Sequence, residues 1–314
     1  MSVQERIERQ LELALADTEH DACPPTIGRA LRYAVFPGGA RIRPRLCLAV
    51  ATACLDEHGD NKDRLARAAG AAAAVELMHC ASLVHDDLPC FDDADMRRGK
   101  PSVHKAFGEN IALLTGDALI VKAFESLANA FHSDPSSLGK AITILANCSG
   151  VPSGIAAGQA WEVESNIPLE LYHRTKTGAM FIAAVELGAL ATNARAEDWT
   201  AFGRHTGEAF QAIDDIRDVC ASPEEIGKPV GQDARLARRN LALESGLTAS
   251  TGHVVKTIDR ALHAIPPSPG RALLAERFGE QLRRFLPENL RSERAERGAA
   301  PLAASVAKIP MPAT

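Results

Sequence analysis

The chain has 314 residues, of which 46% are hydrophobic, 24% are charged and 4% are aromatic. This apolar fraction excludes wholesale disorder and is sufficient for a large buried core. Forty acidic and 35 basic residues give a net charge of −5. No basic stripe is present to hold a phosphate backbone, so we expect no nucleic-acid partner. Ala, Leu, Glu and Arg are common, which favours helix over sheet.

The cysteine pattern and the apolar segments bear on the compartment. Seven cysteines occur without a Cys-x-x-Cys pair, which is typical of reduced thiols in a cytoplasmic protein. The charged N-terminal segment lacks the apolar region of a signal peptide. The longest near-apolar stretch, 179–192, contains Glu186 and is shorter than the roughly 20 residues that span a bilayer. We expect a cytoplasmic protein with no transmembrane segment.

The predicted elements are helices throughout. Ser2-x-x-Glu5 is a capping box that predicts the start of a first helix. Behind it, four apolar residues recur every four positions: Val3, Ile7, Leu11 and Leu15. Further helical segments are predicted at about 65–85, 111–131, 136–149, 151–164, 169–192 and 197–219. No segment alternates well enough to predict a strand. We expect one all-α domain over residues 1–290 and a flexible C-terminal tail over 291–314.

A first acidic cluster follows the helix predicted at 65–85. Five carboxylates lie within ten residues, and two arginines follow directly: Asp86, Asp87, Asp92, Asp93, Asp95, Arg97 and Arg98. An apolar helix leads into this cluster, which favours attachment to the core over a solvated loop. Because Pro89 does not continue a helix, we expect the chain to bend and bring Asp92 back toward Asp86.

A second acidic cluster lies in the segment predicted at 197–219. Asp214 and Asp218 are four residues apart, so they share a helical face with Cβ atoms roughly 5–6 Å apart, and Asp215 lies between them. Like charges at this spacing require a counter-charge, and Mg²⁺ prefers such oxygen ligands. The two clusters together predict a site that holds metal-bridged phosphate. Basic residues suited to phosphate accompany them: Arg41, Arg43, Arg97, Arg98, Lys176, Lys228 and Arg238.

An ordered series of motifs over about residues 28–245 resembles the trans-isoprenyl diphosphate synthase (polyprenyl synthetase) family. The series comprises Gly38-Gly39-Ala40-Arg41-Ile42-Arg43-Pro44, Glu76-Leu77-Met78-His79, Asp86-Asp87-x-x-x-x-Asp92 with Arg97-Arg98, Gly116-Asp117, Gly158-Gln159, Lys176-Thr177, Phe210-Gln211-x-x-Asp214-Asp215-x-x-Asp218 and Gly227-Lys228-x-x-Gly231-x-Asp233. Each motif alone is weak, whereas the whole series in order is specific.

The resemblance implies a fold and an activity. The fold is a single-domain helical bundle around a deep central cavity, of the isoprenoid synthase type. The activity is condensation of isopentenyl diphosphate with an allylic diphosphate (dimethylallyl, geranyl or farnesyl), most like that of bacterial geranylgeranyl diphosphate synthases. It also implies Mg²⁺ as cofactor, with three ions when the allylic diphosphate is bound, and a homodimer.

The resemblance also implies roles for individual residues. The metal ligands are the six aspartates Asp86, Asp87, Asp92, Asp214, Asp215 and Asp218. The allylic diphosphate contacts Arg97, Lys176 and Lys228, with Gln211 near the metal-bound oxygens and Thr177 near the cation. Lys176, Thr177 and Gln211 are therefore the predicted catalytic residues. Isopentenyl diphosphate is held by Arg43, His79 and Arg98.

Three positions depart from the family pattern. Ala40 stands where the family usually has lysine, and Arg41 would point roughly 100° away in a helix, so it is no automatic replacement. Arg238 stands in place of a substrate-binding lysine, which keeps the charge and changes its geometry. Glu162 stands near the usual place of an aspartate.

One isoprene unit and one helical turn both measure roughly 5 Å, so residues one turn before the first acidic cluster can form a floor for the growing chain. The resemblance implies that the fourth and fifth positions before this cluster set the product length. Ala81 and Ser82 occupy these positions, and both are small. We therefore expect a product of twenty carbons or more. Phe124 and Met180 are candidates for the floor of the cavity, although buried Phe and Met are more often plain core.

Three alternatives remain open on the sequence. A farnesyl or longer-chain synthase uses the same chemistry. A non-catalytic subunit that modulates another prenyl synthase is suggested by Ala40 and Arg238 and disfavoured by the intact aspartates. A terpene cyclase is disfavoured by the second Asp-rich motif and by the Arg97-Arg98 pair.

Overall fold

The computed structural model describes residues 1–36, 38–56, 59–165, 168–220 and 240–285. The helices of the first half are α1 (Val3–Ala14), α2 (Pro25–Val35), α3 (Ile42–Cys54), α4 (Lys62–Asp86), α5 (Val103–Phe107), α6 (Glu109–Ala130) and α7 (Pro135–Ser149). Those of the second half are α8 (Ile155–Trp161), α9 (Leu169–His173), α10 (Ala179–Leu190), α11 (Thr200–Cys220), α12 (Leu241–Ser245), α13 (Leu247–His263) and α14 (Arg271–Arg284). Short 3₁₀ turns cover Ala16–Glu19 and Ala196–Trp199, and a π-helical turn covers Arg174–Gly178. The all-α prediction is confirmed.

The first helix begins as its sequence predicts. The Ser2 hydroxyl accepts from the Glu5 N–H at 3.2 Å, and the Glu5 carboxylate accepts from the Ser2 N–H at 2.7 Å, which is a complete capping box. Ile7, Leu11 and Leu15 of the predicted stripe are buried. Val3 is 47% exposed, so the stripe begins one turn later than predicted.

Helix α4 crosses the middle of the molecule and carries the first acidic cluster at its C-terminal end. Its residues from Ala68 to Met78 are all buried, and most of them are alanines that let neighbouring helices approach closely. At Gly70, an added Cβ would lie 2.6 Å from the Cβ of Ala130 on α6. By length and composition α4 could cross a membrane, but 78% of its apolar window is buried inside the protein. This helix therefore forms part of the core.

Helix α10 is the second central element. It packs against α3, α4, α7 and α11, and ten of its twelve residues are buried. The hydrophobic core forms one cluster that runs from Ile7 to Leu282. The predicted domain boundary near residue 290 and the predicted tail at 291–314 lie outside the described residues.

Three local predictions were wrong. A two-residue hairpin, Met96–Arg97 paired with Lys100–Pro101, was not foreseen, because strands this short show no alternation. Its turn places Arg98 (φ 53°) and Gly99 (φ 76°) in the left-handed region, as type I′ turns require. The segment predicted at 151–164 is helical only over α8, and the one predicted at 169–192 is interrupted by the π-helical turn.

Candidate active site: a cavity between two groups of carboxylates

A cavity of about 1500 Å³ lies between α4, α6, α8, α10 and α11. Of the predicted site residues, fourteen line it: Arg43, His79, Ala81, Ser82, Asp86, Asp92, Arg97, Arg98, Phe124, Lys176, Thr177, Gln211, Asp214 and Asp218. Asp87 and Asp215 do not line it. Lys228 and Arg238 lie outside the described residues. The two acidic clusters, more than a hundred residues apart in the chain, therefore border one cavity.

The first acidic cluster folds back on the end of α4. The Asp92 N–H donates to the Asp86 carbonyl at 3.0 Å, so the predicted return of Asp92 toward Asp86 is confirmed. One carboxylate oxygen from each of Asp86, Asp92 and Glu162 lies within 4.8 Å of the others. Converging carboxylate oxygens fit a hard divalent cation such as Mg²⁺.

Glu162 was not among the predicted site residues, although its departure from the family pattern had marked the position. Just past the C-terminal end of α8, it lies in the acidic cluster, and Tyr172 donates to its carboxylate at 2.5 Å. Its proximity to Asp86 depends on how α8 packs against the end of α4. The sequence alone therefore offered no signal beyond the spacing from Gln159.

Asp87 is buried, with 2% of its surface exposed, and forms an ion pair with Arg97. Arg97 Nε donates to both carboxylate oxygens at 3.0 and 3.1 Å. Burial raises the pKa of the Asp87 carboxyl, and the bonds from Arg97 partly oppose that rise. Burial alone would lower the pKa of Arg97, but Asp87 outweighs it and the net shift is upward. Asp87 therefore anchors Arg97 at the cavity edge.

Lys176 lies on the π-helical turn and reaches the first cluster. Its ammonium group contacts the Glu162 carboxylate and lies 3.5 Å from Asp86 Oδ1. A Cβ on Gly158 would overlap the backbone of Lys176, so α8 approaches the turn closely only because this residue is glycine. Lys176 therefore lies where it would contact an anionic ligand held at these carboxylates.

In the second cluster, Asp214 and Asp218 line the cavity and Asp215 does not. Asp215 accepts from the Gln211 side-chain amide at 2.7 Å and from the Leu241 N–H at 2.8 Å. The Thr177 hydroxyl in turn donates to Gln211 Oε1 at 2.5 Å. Asp215 therefore orients Gln211 and Thr177, a contact the sequence did not predict.

Arg43, His79 and Arg98 form the wall of the cavity on the α3–α4 side, and its charge comes from the two arginines. Arg43 Nη1 lies 3.3 Å from His79 Nε2, and its guanidinium stacks on Phe181 at 4.6 Å. Because arginine only donates, His79 Nε2 accepts and the ring proton is on Nδ1. Burial, and then the neighbouring arginines, lower the pKa of His79 well below its usual value. Burial also lowers the pKa of Arg43 to about 10.

Two guanidinium nitrogens on this wall, Arg43 Nε and Arg98 Nη1, are buried and have no hydrogen-bond partner among the described residues. Buried donors without partners are costly, and a bound anion would satisfy them. Lined with arginine donors, this wall is suited to a diphosphate.

Arg41 borders the cavity, but its guanidinium group is bonded within the core. It is 2% exposed and bonds to Glu8 at 3.0 and 3.1 Å, to Glu76 at 2.7 Å and to the Val35 carbonyl. These partners use its donors within the core. Arg41 therefore does not replace the missing lysine, and Ala40 leaves an exposed position on the cavity lining.

The far part of the cavity is apolar. Ala81 and Ser82 of α4 face it, and Ser82 donates to the His79 carbonyl at 2.8 Å. Phe124 and Ile120 of α6 and Met180 of α10 form other parts of the wall. An isoprenoid chain extending from the carboxylates would pass along these side chains.

Comparison with known proteins gives consistent matches. The polyprenyl synthetase family profile matches residues 24–266, a range that contains every residue lining the cavity. The geranylgeranyl diphosphate synthase of Cereibacter sphaeroides is 49% identical over 287 residues, which cover 91% of this chain and 98% of that protein.

Solved structures agree with this match. The geranylgeranyl pyrophosphate synthetase of Pyrococcus horikoshii superposes with a TM-score of 0.74 at 26% identity, over 89% of this chain and 95% of that one. The Helicobacter pylori geranyltransferase, solved with magnesium and isoprenyl diphosphate, has a TM-score of 0.72 at 27% identity, over 95% and 99% of the two chains.

Proposed function

Because this chain belongs to the polyprenyl synthetase family, we propose that it is a geranylgeranyl diphosphate synthase. It condenses isopentenyl diphosphate with dimethylallyl, geranyl or farnesyl diphosphate. The observation that carries the proposal is the single cavity onto which Asp86 and Asp92 open from α4 and Asp214 and Asp218 from α11. The 49% sequence identity to a geranylgeranyl diphosphate synthase supports geranylgeranyl diphosphate as the product.

Mg²⁺ is the proposed cofactor, with three ions when the allylic diphosphate is bound. Asp86, Asp92, Asp214 and Asp218 are the proposed ligands, because their carboxylates line the cavity. When bound, Mg²⁺ would neutralise charge on the departing diphosphate. Asp87 and Asp215 were predicted as ligands from the sequence, but their contacts favour positioning roles: Asp87 holds Arg97, and Asp215 holds Gln211.

The allylic diphosphate binds between Arg97 and Lys176, with Lys228 and Arg238 as further proposed contacts. Cleavage of the allylic carbon–oxygen bond sends its electron pair to the diphosphate and leaves an allylic cation. Arg97 and Lys176 stabilise the anion as it forms. Thr177 and Gln211, hydrogen-bonded to each other, present oxygen atoms near the cation. The apolar walls exclude water, which would otherwise capture the cation.

Isopentenyl diphosphate binds against Arg43, His79 and Arg98. Its double bond attacks the cationic carbon and forms the new carbon–carbon bond. A proton then leaves the adjacent carbon of the isopentenyl unit, and the released diphosphate accepts it. Neutral His79 contributes a hydrogen bond to this site through its Nδ1–H and orients Arg43 through Nε2.

We propose that the protein is a cytoplasmic homodimer. Leu114 and Val121 lie seven residues apart on one face of α6 and are 51% and 66% exposed. Such an apolar face on a helix is typical of a subunit interface. The seven free cysteines support a reducing compartment.

Product analysis tests the proposal. Purified protein with Mg²⁺, labelled isopentenyl diphosphate and each allylic primer in turn should give a twenty-carbon diphosphate. Asp86→Asn should lower kcat at least a hundredfold, because it removes the negative charge of a proposed Mg²⁺ ligand. Asp21→Asn, at an exposed position, is the matched control.

Other products would identify the alternatives. Arrest at fifteen carbons, or growth far past twenty, would make the protein a farnesyl or longer-chain synthase. A cyclic hydrocarbon would indicate a terpene cyclase. Absence of turnover that a partner protein restores would indicate a modulating subunit.

A further inference from the structure

The Gly116-Asp117 pair on α6 has no part in the chemistry described above, yet it contacts the residue that precedes the first acidic cluster. A Cβ added at Gly116 would overlap three atoms of the His85 imidazole. The imidazole therefore lies directly against the backbone of α6, at a place where any other residue would displace it.

The same imidazole is held by hydrogen bonding. His85 Nε2 lies 3.2 Å from the Leu113 carbonyl and 3.6 Å from Asp117 Oδ1. Because the Leu113 carbonyl only accepts, Nε2 carries the ring proton and donates to it. Leu113 and Asp117 are one turn apart on α6, and Gly116 lies between them. His85 thus packs on Gly116, donates to the Leu113 carbonyl and lies near Asp117, all on one helix.

Backbone hydrogen bonds connect the position of His85 to the positions of Asp86 and Asp92. His85 directly precedes Asp86, and its carbonyl accepts from the Leu88 N–H at 3.1 Å. The Asp86 carbonyl accepts from Asp92 at 3.0 Å, which sets the return of the loop. A shift of the His85 backbone relative to α6 would therefore move the last turn of α4, and Asp86 and Asp92 with it.

We propose that His85 is a positioning residue. Its contacts with Leu113, Gly116 and Asp117 on α6 set the separation of the Asp86 and Asp92 carboxylates for Mg²⁺. The inference rests on the proposed function, since it takes these two aspartates as metal ligands. The test therefore uses metal binding by the free protein, which needs no substrate.

Gly116→Ala is the main test, because the added methyl group displaces His85 without removing it. Mn²⁺ binding to the substrate-free protein, followed by electron paramagnetic resonance, should weaken about tenfold. The Mg²⁺ concentration for half-maximal activity should rise by the same factor. Tm should change little, because the preference of alanine for helix offsets the loss of the His85 contact. Gly139→Ala on α7 is the matched control, since a Cβ there meets no atom within 4 Å.

Variants at His85 give a second readout. His85→Ala should weaken Mn²⁺ binding as much as Gly116→Ala does, and the double variant should be no worse, because both changes break one contact. His85→Gln, which retains a donor for the Leu113 carbonyl, should restore part of the affinity. If Gly116→Ala does not fold, the Mn²⁺ affinities of the two His85 variants test the proposal in its place.

Wild-type Mn²⁺ affinity in Gly116→Ala and His85→Ala would overturn the inference, as would fully additive losses in the double variant. These results would leave the proposed function standing if the wild-type protein makes a prenyl diphosphate. A wild-type protein that makes none would overturn the proposed function, and the Mn²⁺ comparison would still test the role of His85.

Discussion

Ala40 leaves the wall that faces isopentenyl diphosphate one cation short. Its side chain is exposed on the cavity lining, while Arg41 beside it is buried against Glu8 and Glu76. Two arginines, Arg43 and Arg98, therefore remain on this wall to bind the diphosphate. The sequence identified the missing lysine, and the structure adds that no neighbouring charge takes its place among the described residues.

Restoring that charge should strengthen substrate binding. Ala40→Lys should lower KM for isopentenyl diphosphate about tenfold, because a hydrogen bond from a charged donor is worth about 1.5–3 kcal/mol. Steady-state kinetics at saturating farnesyl diphosphate measure this. Ala40→Met lengthens the side chain without charge and should leave KM unchanged. Equal effects of the two variants would contradict the electrostatic explanation.

His79 should make stability depend on pH. Above its unfolded pKa of about 6.5, the ring is neutral in both states. Its folded pKa is far lower, so below about pH 6.5 only the unfolded state binds the proton. Folding stability should then fall as pH falls, by up to about 1.4 kcal/mol per pH unit.

The variant His79→Gln should remove this contribution, because glutamine can still accept from Arg43 but does not titrate. Urea unfolding of both proteins between about pH 5 and pH 7.5 measures the difference. The wild-type curve should be the steeper one on the acid side. Parallel curves would show that His79 titrates normally in the folded protein.

At the scale of elements, the π-helical turn Arg174–Gly178 determines where Lys176 and Thr177 point. Two helices approach this turn closely because each has a glycine at the contact. Gly158 of α8 lies against the Lys176 backbone, and a Cβ on Gly207 of α11 would lie 2.6 Å from the Gly178 Cα. π-helical turns occur frequently at functional sites. Here the tight packing places two neighbouring side chains toward different parts of the cavity.

Gly158→Ala tests this packing. The added methyl group would overlap the backbone of Lys176, so the π-helical turn would have to shift. We expect a loss of about 1–3 kcal/mol in stability and a 10- to 100-fold lower kcat, because misplacement of a catalytic group by about 1 Å costs that much. Gly252→Ala on α13, where a Cβ meets no atom within 4 Å, should leave both unchanged. An active Gly158→Ala variant would contradict this role for the turn.

The small hairpin has a similar effect on the two adjacent arginines. Arg97 lies in its first strand and bonds to Asp87, whereas Arg98 lies in the left-handed turn, 3.8 Å from Glu76. Two successive arginines thus contact carboxylates at different places along α4: Arg97 at its C-terminal end and Arg98 in its interior. The adjacent arginines in the sequence suggested two phosphate contacts, but the sequence did not show that the hairpin directs the two side chains to different partners.

At the scale of the whole molecule, the cavity length limits the product. Ala81 lies five residues before Asp86 on α4, which is about 7.5 Å along the helix. Ala81→Phe should fill the cavity there and shift the main product from twenty to fifteen carbons. Chromatography of the dephosphorylated products measures the shift. Ser82→Ala, which adds no volume, is the control, and an unchanged product from Ala81→Phe would show that the chain grows along another wall.

The exposed face of α6 predicts the oligomeric state. Light scattering after gel filtration should give twice the chain mass of 33.4 kDa for the wild type. The double variant Leu114→Glu/Val121→Glu should be monomeric, because it places charges in an apolar interface. Leu243→Glu, at another exposed leucine on α12, is the control. A monomeric wild type, or a double variant that stays dimeric, would contradict the proposed interface.

Much of this protein was determined by its sequence alone. The capping box at Ser2, the helical segments and the pairing of Asp214 with Asp218 on one face all follow from spacing along the chain, because a helix repeats every 3.6 residues. The bend after Asp86 follows from proline. The ordered motifs also indicated the family, because the residues of each motif lie within a few positions of one another in the sequence.

Which charged side chains reach the cavity depends instead on how the helices pack together. Glu162 joins Asp86 because α8 packs beside α4, while Asp87 and Asp215 are engaged by Arg97 and by Gln211 and the Leu241 backbone. Arg41 is buried although it lies two residues from Arg43. Helical spacing specifies which residues share a face. The direction of that face depends on the packing of helices distant in sequence, and no local pattern encodes it.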